Sequence, residues 1–259
     1  MKRCRISAGL LLMLSGAAIA LLTGCAEKPP PNMVHTPEDI TGRIIGVLSG
    51  SPSVRLANDL GKAQTFDSGA DLMYQLKAGA VDCVVMDNTA AAELVDETSG
   101  VRVLSEPLME YDLRFASAKE NDELLRAVNA ALTTLESNGT LNGLRNRYVA
   151  GKSYVYTPPE NVTPHPGFLT LAVPPNYQPY SYTDNNGEFK GLNIDVARAV
   201  CDYLGVELRI IEVDAGELIN DVQFGKVDLA LGWLPGDAEG LVKISDTYAH
   251  SAHAIIVRK

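Results

Sequence analysis

Two stretches of this chain alternate short apolar runs with helical patterns, and a proline-rich segment separates them. Strands that alternate with helices are typical of α/β layers with parallel strand pairs. The first stretch predicts strands at residues 43–48, 81–86, 101–104 and 113–116. The second predicts strands at residues 169–173, 180–183, 207–212, 227–231 and 254–257. We therefore expect two α/β lobes of roughly a hundred residues each.

The separating segment, residues 149–167, carries four prolines and two glycines and predicts a linker. Two amphipathic helices precede it, at residues 122–136 and 140–148, with Asn138-Gly139 as the stop signal between them.

The first 25 residues predict an export signal. A basic start (Lys2, Arg3, Arg5) is followed by an apolar stretch over residues 6–22 and then by Leu22-Thr23-Gly24-Cys25. The apolar stretch is short for a membrane-spanning helix, which is the alternative. The last four residues resemble a bacterial lipobox, which implies cleavage before Cys25 and a lipid anchor, including palmitate, on that residue. Residues 26–38 predict a proline-rich tether that holds the body outside the cytoplasm, facing the periplasm or the cell exterior.

Charge and cysteine content narrow the functional classes. The chain has 22 Lys and Arg against 32 Asp and Glu, a net charge of -10, and no basic stripe. Nucleic-acid binding depends on basic residues, so we exclude DNA and RNA as partners. Of four cysteines, Cys83 and Cys201 lie in the two predicted lobes, and we expect both to be small buried hydrophobes.

Catalytic and metal motifs are missing from the sequence. It has no His-Glu-x-x-His, Gly-x-Ser-x-Gly, Walker or Gly-x-Gly-x-x-Gly pattern, so we expect no cofactor and no catalytic residues. His250 and His253 are three residues apart, which on a strand points them to opposite faces and argues against a metal pair.

Four segments of the second stretch resemble the bacterial solute-binding proteins of family 3, the receptors that deliver polar amino acids to ABC importers. They are residues 191–197 (GLNIDVA), 177–180 (YQPY), 224–228 (FGKVD) and 245–248 (SDTY). The first stretch is similar too, at residues 46–51 (GVLSGS), 77–87 (KAGAVDCVVMD) and in the helices of residues 121–148. The resemblance implies a type II periplasmic-binding-protein-like fold, with two α/β lobes around a hinge.

The lobe order is rotated with respect to the family, which indicates a circular permutation. Residues 39–117 resemble the family's second lobe, residues 118–148 its C-terminal helices and residues 168–259 its first lobe. The linker of residues 149–167 would join the former termini, a change that chains tolerate when a flexible segment bridges them. A fragment of a tandem receptor is the alternative, and the complete signal before the first lobe argues against it.

The resemblance implies site residues in the cleft between the lobes. Asp87 would bind a ligand ammonium, with capping of the helix from Thr89 as its structural alternative. Gly50 and Ser51 would present helix amides to an anion, while capping by Ser51 or Ser53 is the simpler role. Tyr177 would stack on the ligand above Tyr180, for which we favour a core position.

The chain departs from the family at the arginine that binds the ligand carboxylate. Ala238 occupies its place, and Arg114 or Arg55 would have to replace it. Trp233 offers an aromatic platform, with core packing as the alternative. An amine without a carboxylate therefore stands beside an amino acid as the expected ligand.

The resemblances to the lipobox and to family 3 imply a lipid-anchored, monomeric, non-enzymatic receptor that passes an amino acid or amine to an ABC permease. A ligand-sensing regulatory lipoprotein and a dehydratase-type enzyme on the same scaffold are the alternatives.

Overall fold

The computed structural model describes residues 30–234, 238 and 240–259, so the predicted signal and Cys25 lie outside the described residues. The helices are α1 (Ser53–Leu60), α2 (Gly69–Ala78), α3 (Asn88–Asp96), α4 (Asp122–Ser137), α5 (Thr140–Tyr148), α6 (Leu192–Leu204) and α7 (Leu218–Gln223), and a 3-10 turn covers Pro37–Ile40. The strands are β1 (Ile44–Leu48), β2 (Lys62–Phe66), β3 (Cys83–Asp87), β4 (Val101–Val103), β5 (Met109–Ser117), β6 (Phe168–Val173), β7 (Asn176–Tyr177), β8 (Ser181–Thr183), β9 (Phe189–Lys190), β10 (Glu207–Glu212), β11 (Leu229–Trp233), β12 (Lys243–Ile244) and β13 (Ala249–Arg258).

One mixed sheet runs through the molecule in the order β10-β6-β11-β5-β13-β3-β1-β2, with β12 paired to β5 and β4 paired to β13. Strands β10, β6 and β11 are parallel at one end, and β3, β1 and β2 are parallel at the other. The two strands between them, β5 and β13, are antiparallel to each other and to their outer neighbours. The expected α/β class with parallel pairs is confirmed.

Two lobes form around the ends of this sheet. The N lobe comprises residues 34–104 and the last part of β13, and its cores gather apolar side chains of β1, β3, α2 and β13. The C lobe comprises residues 113–249, and its cores gather side chains of β6, β11, α4 and α6. Burial of these apolar faces against the sheet is the main stabilising contribution to each lobe.

The strand β13 crosses from one lobe to the other. Its residues 249–253 pair with residues 113–109 of β5, and its residues 253–256 pair with residues 87–84 of β3. The segment 168–259, which the sequence assigned to one lobe, therefore ends in a strand whose far half lies in the N lobe core, where Ile255 and Val257 pack with Val34 and Ile40.

Residues 149–167 form no helix or strand and lie on the surface of the C lobe. Tyr154 and Tyr156 are half-buried against the C lobe core. The backbone amide of His165 donates to the Gly205 carbonyl, at 2.8 Å. The segment runs from α5 to β6, and these contacts hold it against the C lobe.

Cys83 and Cys201 are buried free thiols, as expected. Burial raises the pKa of each thiol to about 12, so neither is a reactive thiolate at neutral pH. In the part of the chain that the structure describes, no helix combines the length and apolarity that crossing a bilayer requires.

Candidate functional site

Strand alternation gathers polar and aromatic side chains on one face of the central sheet. His253 lies opposite Asp87, and Ser251 lies opposite Tyr111. Side chains directly opposite each other in an antiparallel pair share a face and stand about 5 Å apart. Trp233, at the end of β11, pairs with Leu113 of the same face of β5. We call this side of the sheet the cleft face.

Asp87 is the buried carboxylate of the cleft face, with 3% of its surface exposed. Its Oδ2 accepts hydrogen bonds from Tyr111 Oη, at 2.7 Å, and from Ser251 Oγ. Its Oδ1 accepts a hydrogen bond from the Thr89 amide, at 2.8 Å. Asp87 therefore caps α3, which is the structural role given above as the alternative to ligand binding. Burial raises the pKa of this carboxyl above its ordinary value, because an ionised group is less well solvated inside the protein.

A chain of hydroxyl groups connects Asp87 to the C lobe. Tyr177 Oη donates to Tyr111 Oη at 2.6 Å, and Tyr111 in turn donates to Asp87. Tyr180 Oη donates to Ser251 Oγ at 2.8 Å. Tyr180 is fully buried in the C lobe core, so the core position predicted for it is confirmed.

The loop between β1 and α1 brings the N lobe against the C lobe. Gly50 has a φ of +71°, and a Cβ atom there would lie 3.2 Å from Pro175 Cγ. Ser51 Oγ donates to the Leu48 carbonyl at 2.7 Å. The cap of α1 is Pro52, whose side chain offers no hydrogen bond, so capping by Ser51 or Ser53 is wrong.

Cavities open on both sides of this loop, and Ser51 lines both of them. The larger, about 690 Å³, lies between α1 of the N lobe and the residues around α7 of the C lobe. We call it the Arg55 cavity. The smaller, about 320 Å³, contains Asp87 and Tyr177, and we call it the Asp87 cavity.

The Arg55 cavity contains the position where the family arginine was expected. Ala238 is buried and lines this cavity, together with Trp233. Arg55 and Asp59 line it from the N lobe, and Asp214 lines it from the C lobe. Of the two arginines considered as replacements, the structure brings Arg55 to the cleft.

The structure places Arg114 elsewhere. It belongs to the opposite face of β5, where its Nη2 donates to Asp112 Oδ2 at 2.6 Å. His250 Nδ1 lies 2.6 Å from Asp112 Oδ1 on this same face. His250 and His253 therefore take opposite faces of β13, as their spacing predicted.

Sequence reasoning missed His253 as a candidate site residue. Its side chain is fully buried on the cleft face, and its Nδ1 lies 3.2 Å from Ser53 Oγ. Its ring centroid lies 4.7 Å from that of Tyr111 and 5.1 Å from that of Trp233. Its Nε2 is buried and has no hydrogen-bond partner among the residues that the structure describes. Its spacing of two residues from Ser251 predicts that both side chains lie on one face of β13, whereas the position beside Asp87 depends on the tertiary fold.

Residues 169–259 match the family described as bacterial extracellular solute-binding proteins, family 3. Through this segment, about a third of the chain, the protein is similar to family 3. Two α/β lobes joined by hinge strands are also the architecture that the resemblance implied.

Curated relatives match between about a quarter and a half of the chain. It is 26% identical over 134 residues to the L-cystine-binding protein TcyJ of Escherichia coli K12, a match that covers 50% of each protein. It is 30% identical over 63 residues to the arginine-binding protein ArgT of Corynebacterium glutamicum, covering 24% of this chain and 21% of that protein. It is 28% identical over 65 residues to the cyclohexadienyl dehydratase of Pseudomonas aeruginosa, covering 25% and 24%. The chain thus matches about half the length of TcyJ.

Proposed function

We propose that this protein is an extracytoplasmic receptor that binds a small polar ligand, an amino acid or a related amine, for an ABC importer. The observation that carries the proposal is the buried Asp87 at the junction of the two lobes. Tyr177 of the C lobe reaches this carboxylate through Tyr111 of the hinge strand β5. A ligand at Asp87 would contact groups on both lobes and on the hinge.

The electrostatics of Asp87 favour a cationic ligand. Hydroxyl groups and one amide satisfy its oxygens, and no cation is among their hydrogen-bond partners in the described residues. A buried carboxylate without a counter-charge costs free energy, which its raised pKa reflects. An ammonium group would remove that cost and form charge-assisted hydrogen bonds in a water-poor site. Amino acids and amines both carry such a group.

Contacts on both lobes also couple ligand binding to closure of the lobes. A ligand that touches Asp87 and the C lobe binds more tightly when the lobes are closed, so it shifts the population toward the closed form. An importer could recognise that form. TcyJ and ArgT are named for binding amino acids, which supports the same ligand class for this chain.

The anchoring and lobe order complete the proposal. Cys25, which lies outside the described residues, would carry the lipid after cleavage of residues 1–25. The circular permutation is supported by the position of residues 149–167 along the C lobe and by the way β13 enters the N lobe core. The protein would act as a monomer on the outer side of the cytoplasmic membrane or in the periplasm.

The first prediction replaces Asp87 with Asn in detergent-solubilised protein and measures ligand binding by calorimetry. The panel contains L-arginine, L-cystine and their decarboxylated analogues agmatine and cystamine. We expect wild type to bind at least one compound and Asp87→Asn to weaken that binding about 10- to 100-fold, the effect of losing a hydrogen bond to a charged group. Asn also caps helices well, so α3 is preserved.

Asp112→Asn is the matched control, because Asp112 is a hydrogen-bonded carboxylate on the opposite face of the sheet, in the neighbouring strand pair of β5 and β13. It should change the affinity less than threefold. Equal losses in both variants, or no binding by wild type, would contradict the receptor. Formation of product from cyclohexadienyl substrates by the same preparation would favour the dehydratase alternative, and its intact mass reports the lipid on Cys25.

A further inference from the structure

The buried imidazole of His253 has one nitrogen engaged and one without a partner. Nδ1 faces Ser53 Oγ of α1, at 3.2 Å, whereas Nε2 has no hydrogen-bond partner in the described part of the chain. A buried polar atom without a partner is costly and uncommon in folded proteins. Its position on the cleft face makes a ligand atom the natural partner.

His253 and Asp87 form a cross-strand pair. Their backbones are in register between β13 and β3, which places the two side chains side by side on one face. Directly opposite side chains are about 5 Å apart at their Cβ atoms. The ammonium and carboxylate of an α-amino acid are attached to one carbon, so a single head group can bridge a carboxylate and an imidazole at this spacing.

The surroundings of the ring connect it to both cavities. Ser53 lines the Asp87 cavity, and Trp233, whose ring meets the imidazole edge-on, lines the Arg55 cavity. Tyr111 covers one side of the imidazole and also donates to Asp87. His253 thus lies beside Asp87, behind residues that line each of the two cavities.

We propose that His253 is a specificity residue that donates a hydrogen bond from Nε2 to the carboxylate of an amino acid whose ammonium lies against Asp87. This inference rests on the proposed receptor function. In the proposed tautomer, Ser53 Oγ donates to Nδ1, so that the proton of the neutral imidazole lies on Nε2. His253 then supplies the donor that the family places on an arginine at the position of Ala238.

The burial of His253 agrees with a neutral donor. Burial lowers the pKa of its imidazole to about 4, so the ring is uncharged at neutral pH. A neutral donor next to a carboxylate suits a zwitterionic head group, because the ligand itself brings the balancing ammonium.

The test uses two substitutions that separate the ring nitrogens. His253→Asn places an amide near the position of Nδ1 and removes the polar atom at Nε2, whereas His253→Gln reaches the position of Nε2. Binding of L-arginine, agmatine, L-cystine and cystamine is measured by calorimetry with detergent-solubilised protein. We expect His253→Asn to weaken amino-acid binding about tenfold or more and to change binding of the matched amine less than threefold. His253→Gln should stay within about threefold of wild type for both.

The outcomes are distinguishable. If wild type binds only the amines, or if His253→Asn weakens amine and amino acid equally, the inference is wrong while the receptor function stands. If wild type binds none of the four, the receptor function fails and this inference fails with it. Nitrogen NMR of wild-type His253 gives a measurement that needs no variant: the Nε2 resonance should shift on addition of the bound amino acid and not of its amine analogue. An unchanged Nε2 resonance would overturn the proposal.

Discussion

Alternation along one strand decides the role of each residue near the hinge. Ser251 and His253 of β13 lie on the cleft face, as does Asp87 of β3. His250 of β13 lies on the opposite face with Asp112 of β5. The same rule separates Tyr111 from Arg114 on β5. Neighbours in sequence therefore contribute to different environments, and a residue's chemistry follows from its face.

The third prediction, after those for Asp87 and for the His253 substitutions, concerns pH. The pKa of His253 is about 4 in the folded protein against an ordinary 6.5, so between these values the unfolded chain binds a proton that the folded protein excludes. Stability therefore falls as the pH falls through this window, by at most about 3 kcal/mol from this group. The raised pKa of Asp87 acts in the opposite direction, because protonation of that carboxyl favours the folded state.

Urea unfolding of wild type and His253→Gln from pH 7 to pH 4 isolates the histidine contribution. The free energy of unfolding of the variant should decrease less steeply, because glutamine does not titrate. If the free energy of unfolding falls equally steeply with pH in both proteins, His253 is not the group whose protonation the folded state disfavours.

At the scale of elements, apolar periodicity located the strand centres and missed their ends. Residues 113–116 and 254–257 were predicted as short strands, but β5 and β13 extend to Met109–Ser117 and Ala249–Arg258. The extensions carry Tyr111, Ser251 and His253, whose polar atoms interrupt the apolar pattern although the side chains are buried. Strand β2 was missed because Lys62–Phe66 is mostly exposed and does not alternate.

The candidate site was partly predictable for the same reason. Asp87 was expected at the end of a buried strand, and it ends the fully buried β3. Trp233 was expected just after a strand, and it is the last residue of β11. The partners of Asp87 come from residues 24 and 164 positions away, and such pairings depend on the tertiary fold, which local sequence patterns do not determine.

The fourth prediction concerns how the segment of residues 149–167 is held. A Cβ atom on Gly143 of α5 would lie 2.1 Å from Tyr154 Cε2, so Gly143→Ala must displace the Tyr154 ring. Alanine also favours the helix by about 1 kcal/mol, which offsets the lost packing in overall stability. Limited proteolysis is therefore the sensitive measurement, and we expect cleavage within residues 149–167 to accelerate severalfold.

Gly167→Ala is the matched control for this segment, since a Cβ atom there meets nothing within 4 Å. Its cleavage should match wild type. Equal cleavage of all three proteins would mean that Tyr154 does not hold the segment to α5.

For the molecule as a whole, two continuous strands, β5 and β13, cross between the lobes, and the proposed permutation leaves the end of β13 without a peptide bond to the N lobe chain that it packs against. Pairing with β3 and β4 and the buried Arg258 hold the end of β13 in place. Arg258 Nη1 donates to the carbonyls of Leu76 and Val81, at 2.8 and 2.7 Å. These contacts take over the role of a peptide connection.

The fifth prediction restores the family order. A chain that runs through residues 168–259, a ten-residue Gly/Ser connection and residues 37–148 should fold, because such a connection spans about 17 Å and residues near both joined ends pack in one core. Circular dichroism and ligand affinity should match those of the natural order. Loss of the folded state in this variant, with the natural order intact, would contradict the permutation.

The late position of β13 in the chain bears on biosynthesis. Arg258 contacts a carbonyl 182 residues earlier, so the lobe that leaves the ribosome first lacks a strand that is among the last to be made. Until residues 249–258 emerge, one edge of β3 and the apolar side chains of the N lobe core remain uncovered. Exposed strand edges promote aggregation, and distant pairings slow folding. We therefore expect the nascent N lobe to be prone to aggregation until residues 249–258 are made.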